Sequence, residues 1–163
     1  MTYTDPILKK YRDLILTNNK EFKEVYFGDP IMVPQASLPA LVLTKVSTLV
    51  SDLTNAEDEH RITIKATVIT SVMKEFKDDH TTRHGLEKLY AIIEGRGDDY
   101  RLTSDSILGI LRSNEQVDIA NNLRTDLGSV TRADYGMTMD KRDQGAWSLE
   151  GEITFEAHFT QLR

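Results

Sequence analysis

The chain of 163 residues contains no cysteine, which excludes a disulfide framework, thiolate metal ligands and a cysteine nucleophile. The same absence leaves the redox compartment open. Long apolar runs are also missing: no stretch approaches the ~20 residues that a helix needs to cross a bilayer. Met1 to Pro6 is followed by Lys9, Lys10 and Arg12 with no continuous apolar segment, so no secretory leader is expected at this end. Basic side chains are in the minority, 20 Lys and Arg against 26 Asp and Glu, for a net charge of −6. That balance argues against a protein that holds nucleic acid by counterion release, although DNA could still pass beside it. With 39% hydrophobic and 28% charged residues, the composition is that of an ordinary globular chain. The length suits one domain, with about two-thirds of the surface buried on folding.

Periodicity supplies the elements. Ile7, Leu8, Tyr11, Leu14 and Ile15 line one face of a 3.6-residue repeat. Asp5 is the expected N-cap, Pro6 occupies the first helical position and Asn18-Asn19 is the expected stop. Phe22 to Phe27, followed by Gly28-Asp29-Pro30 and Pro34, reads as an irregular connector or a short edge strand. The β-rich run from Ala40 to Val50 predicts the first long strand, and a polar, acidic loop follows over Thr54 to Glu59. Ile62, Ile64, Ala66 and Val68 alternate with polar residues, so a hairpin with one wet face is expected. Leu86, Leu89, Tyr90 and Ile93 predict a second helix closed by Gly95 in a left-handed conformation. A third, shorter helix is expected from a Ser104 cap to Arg112, burying Ile107, Leu108 and Leu111. Leu127 to Met139 predicts a strand and Asp140 to Gly145 a turn. The closing strand buries Ile153, Phe155, Ala157 and Phe159 in strict alternation. The expected fold class is α+β: a mainly antiparallel sheet with an N-terminal helix and one or two further helices packed on one face, residues 1–163 forming a single domain.

Chemistry is sparse in this pattern. His80 and His84 have the i, i+4 spacing of a metal pair, but no glutamate of a hydrolytic zinc motif lies between them and Gly85 weakens the helix. A polar helix start is the plainer reading, and alanine at both positions is expected to leave function intact. His158 falls on the wet side of its strand. Arg96-Gly97-Asp98 matches a tripeptide read by some adhesion receptors, yet glycine and aspartate belong in a turn for backbone reasons. Gly95 and Gly97 close a helix, whereas a dinucleotide site needs its glycines to open one. Glu57, Asp58 and Glu59 read as solubilising charge. No catalytic, cofactor-binding or metal-binding residue is assigned, and the chain is not expected to be an enzyme.

The C-terminal strand pair carries Tyr135, Met137, Met139 and Trp147. Aromatic and methionine side chains of this kind serve either as cross-strand packing or as an association surface, with another subunit or, in the resemblance described below, with a tube. Long, wet-faced antiparallel strands also leave edges that a second chain can extend.

In element order the chain resembles the tail terminator (tail-completion) proteins of long-tailed, non-contractile phages. The resemblance runs from the helix at Asp5 to Asn18, through Val25-Tyr26-Phe27-Gly28-Asp29-Pro30 and Leu38-Pro39-Ala40-Leu41-Val42, to the hairpin, the helix around Leu86 to Ile93 and the closing strand pair. It implies a subunit made in the host cytoplasm that assembles as a hexameric ring on the last ring of the tail tube, at the head-proximal end of the virion. There it would stop tube polymerisation and offer a surface to the head-completion protein. The partners implied are the tail tube protein and that head-side protein. DNA would pass through without specific binding, and neither a cofactor nor a membrane is involved. Another neck or head-completion subunit, and a small-ligand-binding regulatory α+β domain, are the alternative expectations.

Overall fold

The computed structural model describes residues 5–30, 32–71, 83–120, 123–140 and 146–163, and their side chains except at 83, 84, 129, 130, 137–140, 146 and 147. Helix α1 (Pro6–Asn18) opens as its sequence demands, with the Asp5 carboxylate accepting from the Ile7 N–H at 2.9 Å and Pro6 in the first turn. It buries Ile7, Leu8, Tyr11 and Ile15. It ends at Asn19, whose backbone N–H returns to the Ile15 carbonyl and whose buried side chain donates to the Asp105 carbonyl at 2.8 Å.

Strands β1 (Glu24–Phe27), β2 (Ala40–Asp52) and β3 (Glu57–Ser71) come next, then helices α2 (Arg83–Glu94) and α3 (Ile107–Ser113). Strands β4 (Gln116–Ala120), β5 (Leu123–Asp140) and β6 (Ala146–Leu162) complete the chain. The six strands form one sheet in the order β1-β2-β3-β6-β5-β4. Every neighbouring pair is antiparallel except β1 and β2, which are parallel. The closing strand β6 therefore lies in the middle of the sheet, registered to β3 from Glu57↔Leu162 to Ser71↔Ser148. The fold is α+β.

One face of the sheet carries all three described α-helices. Leu41, Leu43, Ile62, Ile64, Ala66, Ile153 and Phe155 meet Tyr11 and Ile15 of α1, Leu89 and Ile93 of α2, and Ile107 and Leu111 of α3. Tyr11 stands edge-on to Phe155 with ring centroids 5.0 Å apart, and its hydroxyl meets Thr125 Oγ1 at 3.2 Å. A fully buried phenol needs such a partner, since an unpaired one costs about 1–3 kcal/mol. Helix α2 can approach β6 because Gly151 has no side chain: a Cβ there would overlap Ile93 Cδ1 and lie 3.2 Å from Leu89. Among the described residues the opposite face is covered only at one corner, where Val33 and Leu38 of the β1–β2 connector pack on Ala40, Val42 and Ile69.

Four sequence expectations need correction. Glu57, Asp58 and Glu59 are not loop residues but the first residues of β3, paired with Leu162, Gln161 and Thr160. Their charge is tolerated because they lie beyond the buried part of the strand. The third α-helix is capped by Ser106, not Ser104: Ser106 Oγ accepts the Gly109 N–H at 3.1 Å. A turn from Thr103 to Ser106 has already used the residues before it. Gly95 is not left-handed. Its constraint is crowding, since a Cβ would overlap Thr103 Oγ1 and lie 2.8 Å from the Ala91 carbonyl oxygen. Finally, β5 begins at Leu123 and pairs with β4, a strand that Val117 and Ile119 mark only briefly.

Candidate assembly interface

The sheet is stepped at two diagonally opposite corners. Along β2, Ala40 to Leu43 are buried, and from Lys45 to Val50 every residue is exposed. Strand β1 reaches only Leu43, so among the described residues no strand pairs with the outer side of β2 beyond that point. On the far side, β4 pairs with β5 only as far as Asp126. Among the described residues, the outer edge of β5 from Thr131 to Asp140 is equally bare. Each bare edge is about 30 Å long at 3.3–3.4 Å per residue.

The β2 step is the side of a three-stranded arm made by the ends of β2, β3 and β6. Arg163 fastens its tip: the guanidinium bonds Asp58 at 2.8 Å and also Asp52, and its backbone N–H donates to Ala56. On the helix side of the arm, His60 stacks flat on Phe159 at 4.6 Å and is registered opposite Val50. On the other side Leu49 stands opposite Arg61. Val46, Leu49, Val50 and Leu53 are each more than half exposed, and Leu162 is 73% exposed. An edge strand is commonly protected by Lys, Pro or a bulge. Here Lys45 and the irregularity between Lys45 and Ser47 protect only the first part.

The uncovered sheet face is a lattice of charge. Lys65 pairs with Glu152 at 3.1 Å, Arg132 with Asp134 at 2.9 Å, Arg61 with Glu59 at 3.1 Å, Arg124 with Asp118 at 2.8 Å, and His158 with Glu156 at 2.8 Å. Asp126 and Glu150 are registered on the same face, so its carboxylates outnumber its cations. His158 is thus a wet-face residue held by a carboxylate.

The residues singled out from sequence fall as follows. Tyr135 lies on the helix side of β5, edge-on to Tyr90 of α2 with centroids 4.7 Å apart. Its hydroxyl is buried without a hydrogen bond of good geometry. Burial first, then the nearby Glu94 carboxylate and Tyr90, raise its pKa far above the ordinary phenol value. Met137 is registered opposite Leu149, and Met139 opposite Trp147, so three of the four nominated positions lie on β5 along its bare edge. The side chains of Met137, Met139 and Trp147 lie outside the described residues, as does all of His80. His84 falls in α2, its side chain likewise outside the description. In the Arg96-Gly97-Asp98 turn, Arg96 lies over the Tyr100 ring at 4.7 Å and donates to the Tyr100 carbonyl, so the turn employs its own arginine.

Among the described residues no cluster of His, Asp or Glu has the geometry of a metal site. A hollow of about 490 Å³ lies outside α2, between Glu87, Tyr90, Glu94, Arg96, Thr103 and Asp105. The arm residues were missed by sequence reasoning although a signal was present. Leu49 and Val50 are adjacent, and adjacent residues of a strand point to opposite faces, so one core cannot take both. No protein-family model and no curated protein matches this chain.

Proposed function

We propose that the protein is a structural subunit of a phage virion that closes on itself as a ring, with the tail terminator role as its most specific form. The supporting observation is the stepped sheet: one face sealed by helices, the other charged, and the two longest edges bare among the described residues at opposite corners. A head-to-tail contact of that kind generates closed rings when the rotation permits. In this reading the ring caps the tail tube, stops its polymerisation and presents a surface to the head. The acid-rich open face suits a channel wall past which DNA slides, because carboxylates repel phosphate and release no counterions from it. A lumen lined by unpaired lysine and arginine would sink that part of the reading.

The experiment is immunogold electron microscopy of tailed particles with an antibody to the native protein. Gold at the head–tail junction is the expected result, and tails of abnormal length in a null mutant separate a terminator from another neck subunit. Unlabelled intact particles would overturn the virion assignment. The hollow outside α2 favours the second reading, a small-ligand module, since its volume and convergent polar groups fall in the range of ligand pockets. Saturable ligand binding abolished by Arg96→Ala and Thr103→Val would establish that reading instead.

A further inference from the structure

Resting on the ring reading, we infer that the bare edge of β2 from one copy, Ser47 to Asp52, adds as an antiparallel strand to the bare edge of β5, Ala133 to Thr138, of a second copy. Three observations select this pairing. The first is direction. Strand β2 is antiparallel to β3, β3 to β6 and β6 to β5, so β2 runs opposite to β5. A second copy placed in the same orientation therefore continues the sheet antiparallel, with its helix-covered side still on the helix-covered side. An isologous β2–β2 contact would bring the same edge together twice and stop at a dimer.

The second observation is shape. The β2 step is bounded by the end of β1 at Leu43, and the β5 step by the end of β4 opposite Asp126. The two notches match in length to within one residue, so the arm of one copy fits the notch of the next. The other free edges among the described residues, on β1, β4 and the last residues of β6, are far shorter. The third observation is the facing of side chains. Matching helix-covered faces leaves alternate registers, and of these we take the one that sets Val50 opposite Tyr135 and Leu49 opposite Gly136. Gly136 is where the edge has room: a Cβ built there meets nothing within 4 Å, and a hollow of about 220 Å³ opens beside it on the uncovered face. Leu49, 57% exposed in the single chain, would be covered there.

Because the chain has no cysteine, an engineered pair reports this contact alone. Directly opposite residues of neighbouring antiparallel strands have Cα atoms about 4.5–5.5 Å apart, within disulfide reach. The double variant Leu49→Cys, Gly136→Cys is oxidised at concentrations where sedimentation detects self-association, then resolved under denaturing, non-reducing conditions. The expected result is a ladder of covalent multimers ending at the ring size, with each single variant giving at least tenfold less product. A dimer from Leu49→Cys alone would overturn the inference in favour of β2–β2 pairing. Self-association without a ladder would overturn the inference and leave the ring reading standing. A chain that stays monomeric at every concentration and on tail tubes would overturn both. Circular dichroism of the variants shows that they fold, and Val50→Cys with Gly136→Cys, which places the two thiols on opposite faces, supplies the register control.

Discussion

The helix-covered centre of the sheet and its two projecting corners are made of the same strands but obey different rules. In the centre, β3 and β6 alternate strictly: Ile62, Ile64 and Ala66 oppose Ala157, Phe155 and Ile153, all buried under the helices. At the β2 corner the same ladder continues without a roof, and apolar side chains appear on both faces, Leu49 on one and Val50 on the other. A strand buried on one side needs one apolar row, whereas a strand that awaits a neighbour gains from apolar contact on either side of the new pair. The centre is therefore organised for stability of the single chain, and the assembly proposed above gives the corners to association.

Substitutions can break this comparison in order of effect. Phe155→Ala, at the middle of the core beneath Tyr11, should cost about 3–5 kcal/mol in urea denaturation, the usual price of deleting a buried ring. Gly109→Ala comes next. Its Cβ would overlap the Thr103 carbonyl oxygen and lie 2.9 Å from the Ser106 Oγ that caps the helix, so a loss of about 1–3 kcal/mol is expected from overpacking against backbone. Asp5→Ala should cost about 1 kcal/mol as a lost cap.

That residue also carries a pH signature. Burial pushes the Asp5 carboxyl up, but the bonds from Lys45 and the first helical N–H groups together outweigh it and hold the pKa below 3.8. A carboxyl whose folded pKa is depressed stabilises the fold above its unfolded value and loses that contribution as the pH falls through the folded one. Wild-type stability should accordingly drop below pH 3.8 more steeply than that of Asp5→Ala, measured as denaturation midpoints across that range. The smallest effect on the single chain is expected at the arm. Leu49→Ser with Val50→Ser should change monomer stability by no more than about 0.5 kcal/mol per substitution, yet abolish self-association in sedimentation. If the pair unfolded the monomer instead, the division between centre and corners would be wrong.

How much of this was legible in the sequence follows from the same division. Periodicity located α1, α2 and β6 because each buries one face against a core within the chain, and Asp5-Pro6 marked a helix start by backbone chemistry that needs no tertiary context. It could not place β6 between β3 and β5, since strand order is decided by pairing across the chain rather than by local pattern. Glu57-Asp58-Glu59 read as a loop because three consecutive acids are poor strand formers. They are held in β3 by pairing on both sides and by Arg163, more than a hundred residues away, on Asp58. The cap at Ser106 rather than Ser104 depended on a turn that only the folded backbone defines. At the candidate interface, Tyr135, Met137 and Met139 were chosen by residue type and lie on a bare edge. The complementary edge does not stand out because the run from Ala40 to Val50 reads simply as one long strand, and which side of a strand lacks a neighbour is decided by pairing across the chain.

The central claim is that the edges of β2 and β5, bare among the described residues, become paired in the proposed assembly. Amide hydrogen exchange followed by mass spectrometry at low and high protein concentration tests it most directly. The account predicts fast exchange over Val46 to Leu53 and Thr131 to Asp140 in the monomer, slowed at least tenfold in both segments together on association, with the β3–β6 centre unchanged. Protection that appears on the outer face of α2 instead, with both edges still exchanging freely, would contradict it.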